Sequence, residues 1–85
     1  MEFLLHPILK KKLRKMPYTV NARFDERMEL FLKNPTHFSL NNHSVDRVYS
    51  GCRSINITGD YRAIFFMKEG VAIFVNVGTH SELYG

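Results

Sequence analysis

Ser54-Ile55-Asn56-Ile57-Thr58-Gly59-Asp60-Tyr61-Arg62-Ala63-Ile64-Phe65-Phe66-Met67-Lys68-Glu69-Gly70-Val71-Ala72-Ile73-Phe74-Val75-Asn76-Val77 decides the fold of this chain. Three apolar, β-branched or aromatic runs, 51–57, 61–67 and 71–77, are separated by Thr58-Gly59-Asp60 and Lys68-Glu69-Gly70. Both separators are turn-like, so the stretch reads as a three-stranded antiparallel meander. Period-two alternation groups Tyr61, Ala63, Phe65 and Met67 on one face against Arg62, Ile64 and Phe66 on the other. In the last run it sets Val71, Ile73, Val75 and Val77 against Ala72, Phe74 and Asn76. One face must pack on helices; the other carries Arg62.

Upstream the period changes. Residues 2–6 read as a short strand, and Pro7 suits a first helical position, where its missing N–H would have had no partner anyway. Leu9, Leu13 and Met16 then share one helical face until Pro17 interrupts the pattern. Beyond it Val20, Phe24, Met28, Phe31 and Leu32 mark the buried stripe of a second helix that Asn34-Pro35 closes. Glu29 and Lys33 stand in the favourable i, i+4 order for an ion pair. Residues 36–50 follow neither period and are rich in Asn and Ser, which predicts a long connection of the kind that often carries function. The expected class is α+β, with an N-terminal strand, a two-helix hairpin and a meander, in one domain spanning 1–85.

Eighty-five residues, 45% of them apolar and 24% charged, suffice for one small core and are too apolar for a disordered tail. The first residues lack the apolar run of a signal peptide or membrane span, so a cytoplasmic protein with no membrane partner is expected. Cys52 is the sole cysteine, which rules out an internal disulfide. The net charge of +4 lies wholly in residues 1–33, which hold eight Lys or Arg against four acids. It concentrates in Lys10, Lys11, Lys12, Arg14 and Lys15. Such a run is most often a solvated helix face, and its functional reading is a polyanion partner that yields condensed counterions.

Four histidines, His6, His37, His43 and His80, bring proton-transfer chemistry into reach near neutral pH. His6 and His37 adjoin Pro7 and Phe38 and read as structural. His80 follows the last strand, where a strand end holds a side chain rigidly at the sheet rim. Asp60 and Arg62 flank the turn into the middle strand and are candidates for the same rim, within reach of His43 from the long connection. A proton donor, a proton acceptor and a guanidinium for phosphate form a minimal set for cutting an RNA phosphodiester. His37, His43, Cys52 and His80 match no metal-ligand spacing, and no P-loop, G-x-G-x-x-G or G-x-S-x-G is present. No cofactor or metal is expected.

Residues 54–65, followed by Val75-Asn76-Val77-Gly78-Thr79-His80-Ser81-Glu82-Leu83-Tyr84, resemble the RelE superfamily of bacterial and archaeal toxins, in particular its YafQ-like branch. The resemblance implies a RelE/ParE-like fold with a short C-terminal helical turn. It implies a type II toxin, held by a cognate antitoxin, that cleaves mRNA in the ribosomal A site by attack of the 2′-OH, without metal. It assigns His80, Asp60 and His43 to catalysis, and Arg62 and Tyr84 to the substrate. Lys10, Lys11, Lys12, Arg14 and Lys15 would contact ribosomal RNA. Where the YafQ branch carries a further histidine this sequence has Asn56, which can bind phosphate but cannot move a proton at neutral pH; Arg53 supplies charge nearby. A ParE-like gyrase inhibitor and a degenerate antitoxin-binding module are the competing functions on the same fold.

Overall fold

A computed structural model describes residues 1–85. Strand β1 (Glu2–Leu5) leads into helix α1 (Pro7–Arg14) and helix α2 (Tyr18–Lys33). A 3-10 turn (Phe38–Leu40) and the two-residue strand β2 (His43–Ser44) follow. Strands β3 (Arg53–Asn56), β4 (Tyr61–Lys68) and β5 (Val71–Thr79) form the expected meander, and helix α3 (His80–Tyr84) ends the chain. All five strands join one sheet in the order β1-β5-β4-β3-β2, with β1 parallel to β5 and the other pairs antiparallel. The helical hairpin thus carries the chain from β1 across the sheet toward β2 at the far edge, and the antiparallel strands return it to β5 beside β1.

The two helices are joined by side-chain capping. His6 accepts the amide of Ile8 on its Nδ1 at 3.1 Å, and Pro7 begins α1. At the other end the Asn21 side-chain amide donates to the carbonyl of Leu13, which also takes the Met16 amide, and to that of Met16 just past the helix. Lys11, Lys12 and Arg14 in the last turn complement the helix dipole.

Leu9, Leu13, Val20, Phe24, Met28 and Phe31 bury against one sheet face. Phe31, Phe65 and Phe74 form a triangle with ring centroids 4.9–5.3 Å apart at its centre. Each buried aromatic contributes about 1.5–3 kcal/mol. Leu32, expected in this core, is 42% exposed at the end of the helical stripe. Glu29 and Lys33 form no ion pair; the one salt bridge joins Arg23 and Glu26, both exposed.

Two expectations fail on the sheet. Residues 36–50 are not wholly a connection, because His43 and Ser44 pair with Ser54 and Arg53 as an edge strand. Two residues are too short for a period to be visible. Strand β5 also breaks its alternation. Phe65 pairs with Phe74 and Ile64 with Asn76, leaving Val75 as an extra residue in the ladder. Ala72, Phe74 and Val77 therefore share the helix-facing core. Val75 packs instead with Val45, Ile64 and Leu83, a second small core under α3 on the opposite sheet face.

Candidate active site

The second face carries a cleft of about 390 Å³ between β2, the start of β4 and α3. His43, Arg62, His80 and Tyr84 line it, together with Asn41, Val45 and Ser54. Four of the residues singled out from the sequence, drawn from three separate elements, thus meet in one place.

Each is held by local structure. His43 Nδ1 lies 2.7 Å from the backbone carbonyl of Asn41. A carbonyl can only accept, so Nδ1 carries the proton and the neutral ring leaves Nε2 with a free lone pair. The His37 ring is arranged the other way, its Nδ1 accepting the amide of Ser39 as a cap; His6 does the same for Ile8. Both are structural, as their neighbours suggested. Asn41 supplies its carbonyl from a left-handed backbone conformation (φ 46°, ψ 49°) that Asn tolerates better than most side chains.

Arg62 Nη1 donates to the carbonyls of Thr58, Gly59 and Tyr61 at 3.0–3.1 Å. The turn grips one corner of the guanidinium, leaving Nε and Nη2 without protein partners. A fixed planar cation with free donors is suited to a phosphate.

His80 is the first residue of α3. Its amide donates to the carbonyl of Asp60 at 3.1 Å. The helix start is set by a capping box: the Thr79 hydroxyl accepts the Glu82 amide, and the Glu82 carboxylate accepts the Thr79 amide at 2.7 Å. These hydrogen bonds hold the Glu82 carboxyl below its usual range. Gly78 leaves room for the folded-back Glu82 side chain, since a Cβ there would meet Glu82 Oε1 at 3.1 Å and force it to give by a few tenths of an ångström. Tyr84 tilts against the His80 ring at 4.8 Å, and Tyr49 secures the helix by donating its hydroxyl to the Leu83 carbonyl at 2.7 Å.

Other expected residues stand elsewhere. Asp60 is exposed outside the cleft lining and joins the site through its backbone carbonyl. Arg53 lies on the opposite face of β3 from Ser54 and braces the preceding segment through Asn42. Asn56 shares the face of Ser54 and pairs across the strand with Arg62, its Oδ1 buried without a partner. Lys10, Lys11, Lys12, Arg14 and Lys15 are all exposed on and just after α1. Lys12 donates to Asn76, and with Lys15 and Glu82 it borders a second hollow on the other side of α3. No three His, Cys, Asp or Glu side chains converge as a metal-ligand set. Burial, followed by the Asp46 charge, raises the Cys52 thiol above its usual range, which keeps it in the poorly nucleophilic form.

Sequence reasoning missed Asn41 and Ser54. The signal for Ser54 was a hydroxyl on the same strand face as Asn56, two residues before it. It is fully buried and its Oγ has no partner, a state that costs about 1–3 kcal/mol.

No family model and no curated protein matches the chain. Solved structures do. The crystal structure of Escherichia coli YafQ superposes with a TM-score of 0.79 at 19% identity, covering 99% of this chain and 98% of that one. A chain of the RelB–RelE antitoxin–toxin complex of Methanococcus jannaschii gives 0.75 at 18% identity over 95% and 94% of the two chains. The E. coli DinJ–YafQ complex gives 0.71 at 20% identity over 99% and 98%. This chain has the RelE/YafQ toxin fold. Coverage of both partners is nearly complete, so the RelE/YafQ fold accounts for every element here, from β1 to α3. No helix of the chain is long and apolar enough to cross a membrane.

Proposed function

We propose that the chain is the toxin of a type II toxin–antitoxin pair and acts as a ribosome-dependent mRNA endoribonuclease. The observation that carries this reading is the pairing of His43, with its bare Nε2, and His80 across one cleft that also presents Arg62.

In this mechanism His43 Nε2 takes the proton of a ribose 2′-OH as that oxygen attacks the adjacent phosphorus. The bond from phosphorus to the 5′-oxygen breaks, and His80, in its protonated form, donates a proton to the departing oxygen. The products are a 2′,3′-cyclic phosphate and a 5′-hydroxyl. Arg62 binds the non-bridging oxygens, where negative charge gathers in the transition state. Tyr84 offers its ring to a base of the codon. Asp60 serves through the carbonyl that steadies His80. Because DNA lacks the 2′-OH, the chemistry selects RNA. Lys10, Lys11, Lys12, Arg14 and Lys15 give the protein an electrostatic hold on ribosomal RNA.

The partner in this reading is a cognate antitoxin, as DinJ is bound to YafQ and RelB to RelE in the similar complexes. Coexpression with the product of the adjacent small gene should give a complex on gel filtration. The activity is tested by primer extension on a reporter message in a translating extract. Cuts within codons that disappear in His80→Ala support the reading. Absence of cuts with the unaltered protein would sink it in favour of a gyrase inhibitor or a degenerate binder.

A further inference from the structure

Ser54 stands at the wall of the cleft, 0% exposed, with an Oγ that no protein group satisfies. It is directly opposite His43 in the β2–β3 register. Opposed residues on one sheet face hold their Cβ atoms about 4.5–5.5 Å apart, so the hydroxyl adjoins the imidazole. Two residues along the same face is Asn56, whose Oδ1 is likewise buried and unpartnered, opposite Arg62. An unmet polar strip therefore runs along β3 between the imidazole and the guanidinium.

We infer that Ser54 is a substrate-contacting residue whose hydroxyl binds the ribose 2′-oxygen of the nucleotide being cut. The inference rests on the reading of this cleft as an RNA-cleaving site. Phosphate oxygens already have the free N–H groups of Arg62, which are charged and stronger donors. A hydroxyl that both donates and accepts is the complement of another hydroxyl. The contact requires Oγ to turn toward the cleft by rotation about χ1 to another staggered position. There it donates to the 2′-oxygen while the proton of that oxygen points at His43 Nε2. Ser54 makes and breaks no covalent bond; it fixes the nucleophile and gives the cleft its preference for ribose.

The test measures binding of the full chain to ribosomes programmed with a short synthetic message. The A-site codon carries either ribose throughout or a single 2′-deoxyribose at the cleavage position, and the protein carries His80→Ala so that the ribose message survives. With Ser54 intact, ribose should be preferred about tenfold, the scale of one hydrogen bond. In Ser54→Ala the ratio should fall several-fold, the remainder being what the His43 contact to the 2′-OH supplies, while thermal stability is unchanged or raised because an orphaned hydroxyl has gone. Ser54→Cys keeps the volume and weakens the donor, and should show the same loss; it decides the matter if the alanine variant does not fold. An unchanged ratio in folded variants would overturn the assignment and leave the nuclease reading intact. Failure of the Ser54-intact protein to bind ribosomes, with no cleavage by the unaltered chain, overturns both.

Discussion

The amide of His80 donates to the carbonyl of Asp60, so the first residue of α3 is tied to the turn that leads into β4. The link runs through backbone atoms and the Asp60 carboxylate takes no part in it. Asp60→Asn should therefore reduce message cleavage by less than about tenfold, whereas His80→Ala, which removes a proton donor, should reduce it by about 10²–10⁴. Single-turnover cleavage on programmed ribosomes measures both. Equal losses would return the carboxylate to the chemistry.

In the proposed mechanism His43 acts as base through Nε2, its Nδ1–H being held by the Asn41 carbonyl. His43→Ala should lower the rate of single-turnover cleavage on programmed ribosomes by about 10²–10⁴. A variant that cleaves nearly as fast as the unaltered chain would assign the base to another group.

The Glu82 carboxyl is held below its ordinary value by the Thr79 amide and hydroxyl. A carboxyl lowered on folding contributes stability above its unfolded value that is lost as pH falls through the folded one. Helix α3 should fray below about pH 4. The His80 and Tyr84 resonances, followed by NMR during acid titration, should move before the core unfolds. In Thr79→Ala the same resonances should already be shifted at neutral pH, with a loss of about 1 kcal/mol.

Gly78 lies beneath α3 with Glu82 Oε1 at 3.1 Å from where a Cβ would be. Gly78→Ala should push the carboxylate off the Thr79 amide and lower cleavage at least several-fold while the meander persists. Near-native circular dichroism with impaired cleavage is the expected pair of results.

Phe65 joins Phe31 and Phe74 in the main core at 2% exposure. Phe65→Ala should cost about 3–5 kcal/mol, a large share of the stability of so small a domain. Urea denaturation would measure the loss.

Much of this architecture was legible because it rests on period. The stripes of Leu9–Leu13 and Phe24–Phe31 and the turns at 58–60 and 68–70 are local signals, and the elements formed where they pointed. The rim position of His80 and Arg62 followed from strand order. What escaped the sequence depends on pairing across space. Strand β2 exists because Ser54 and Arg53 offer it a partner. The Asp60 carboxylate, expected at the same rim, lies outside the cleft lining, and its tie to His80 runs through the backbone. Ser54 escaped notice because its unmet hydroxyl is visible only once the strand is buried.

The extra residue at Val75 has a consequence for how the molecule is divided. Before it, β5 counts even positions toward the helices; after it, Val77 does the same job on an odd one. The strand therefore delivers its last residues half a pleat out of phase with its first. Lose that one residue and everything beyond it, Thr79 and His80 included, is dealt to the other side of the sheet. The small domain thus separates two responsibilities along a single strand, one end answering to the hydrophobic interior and the other to the chemistry, with a single irregular step as the hinge between them.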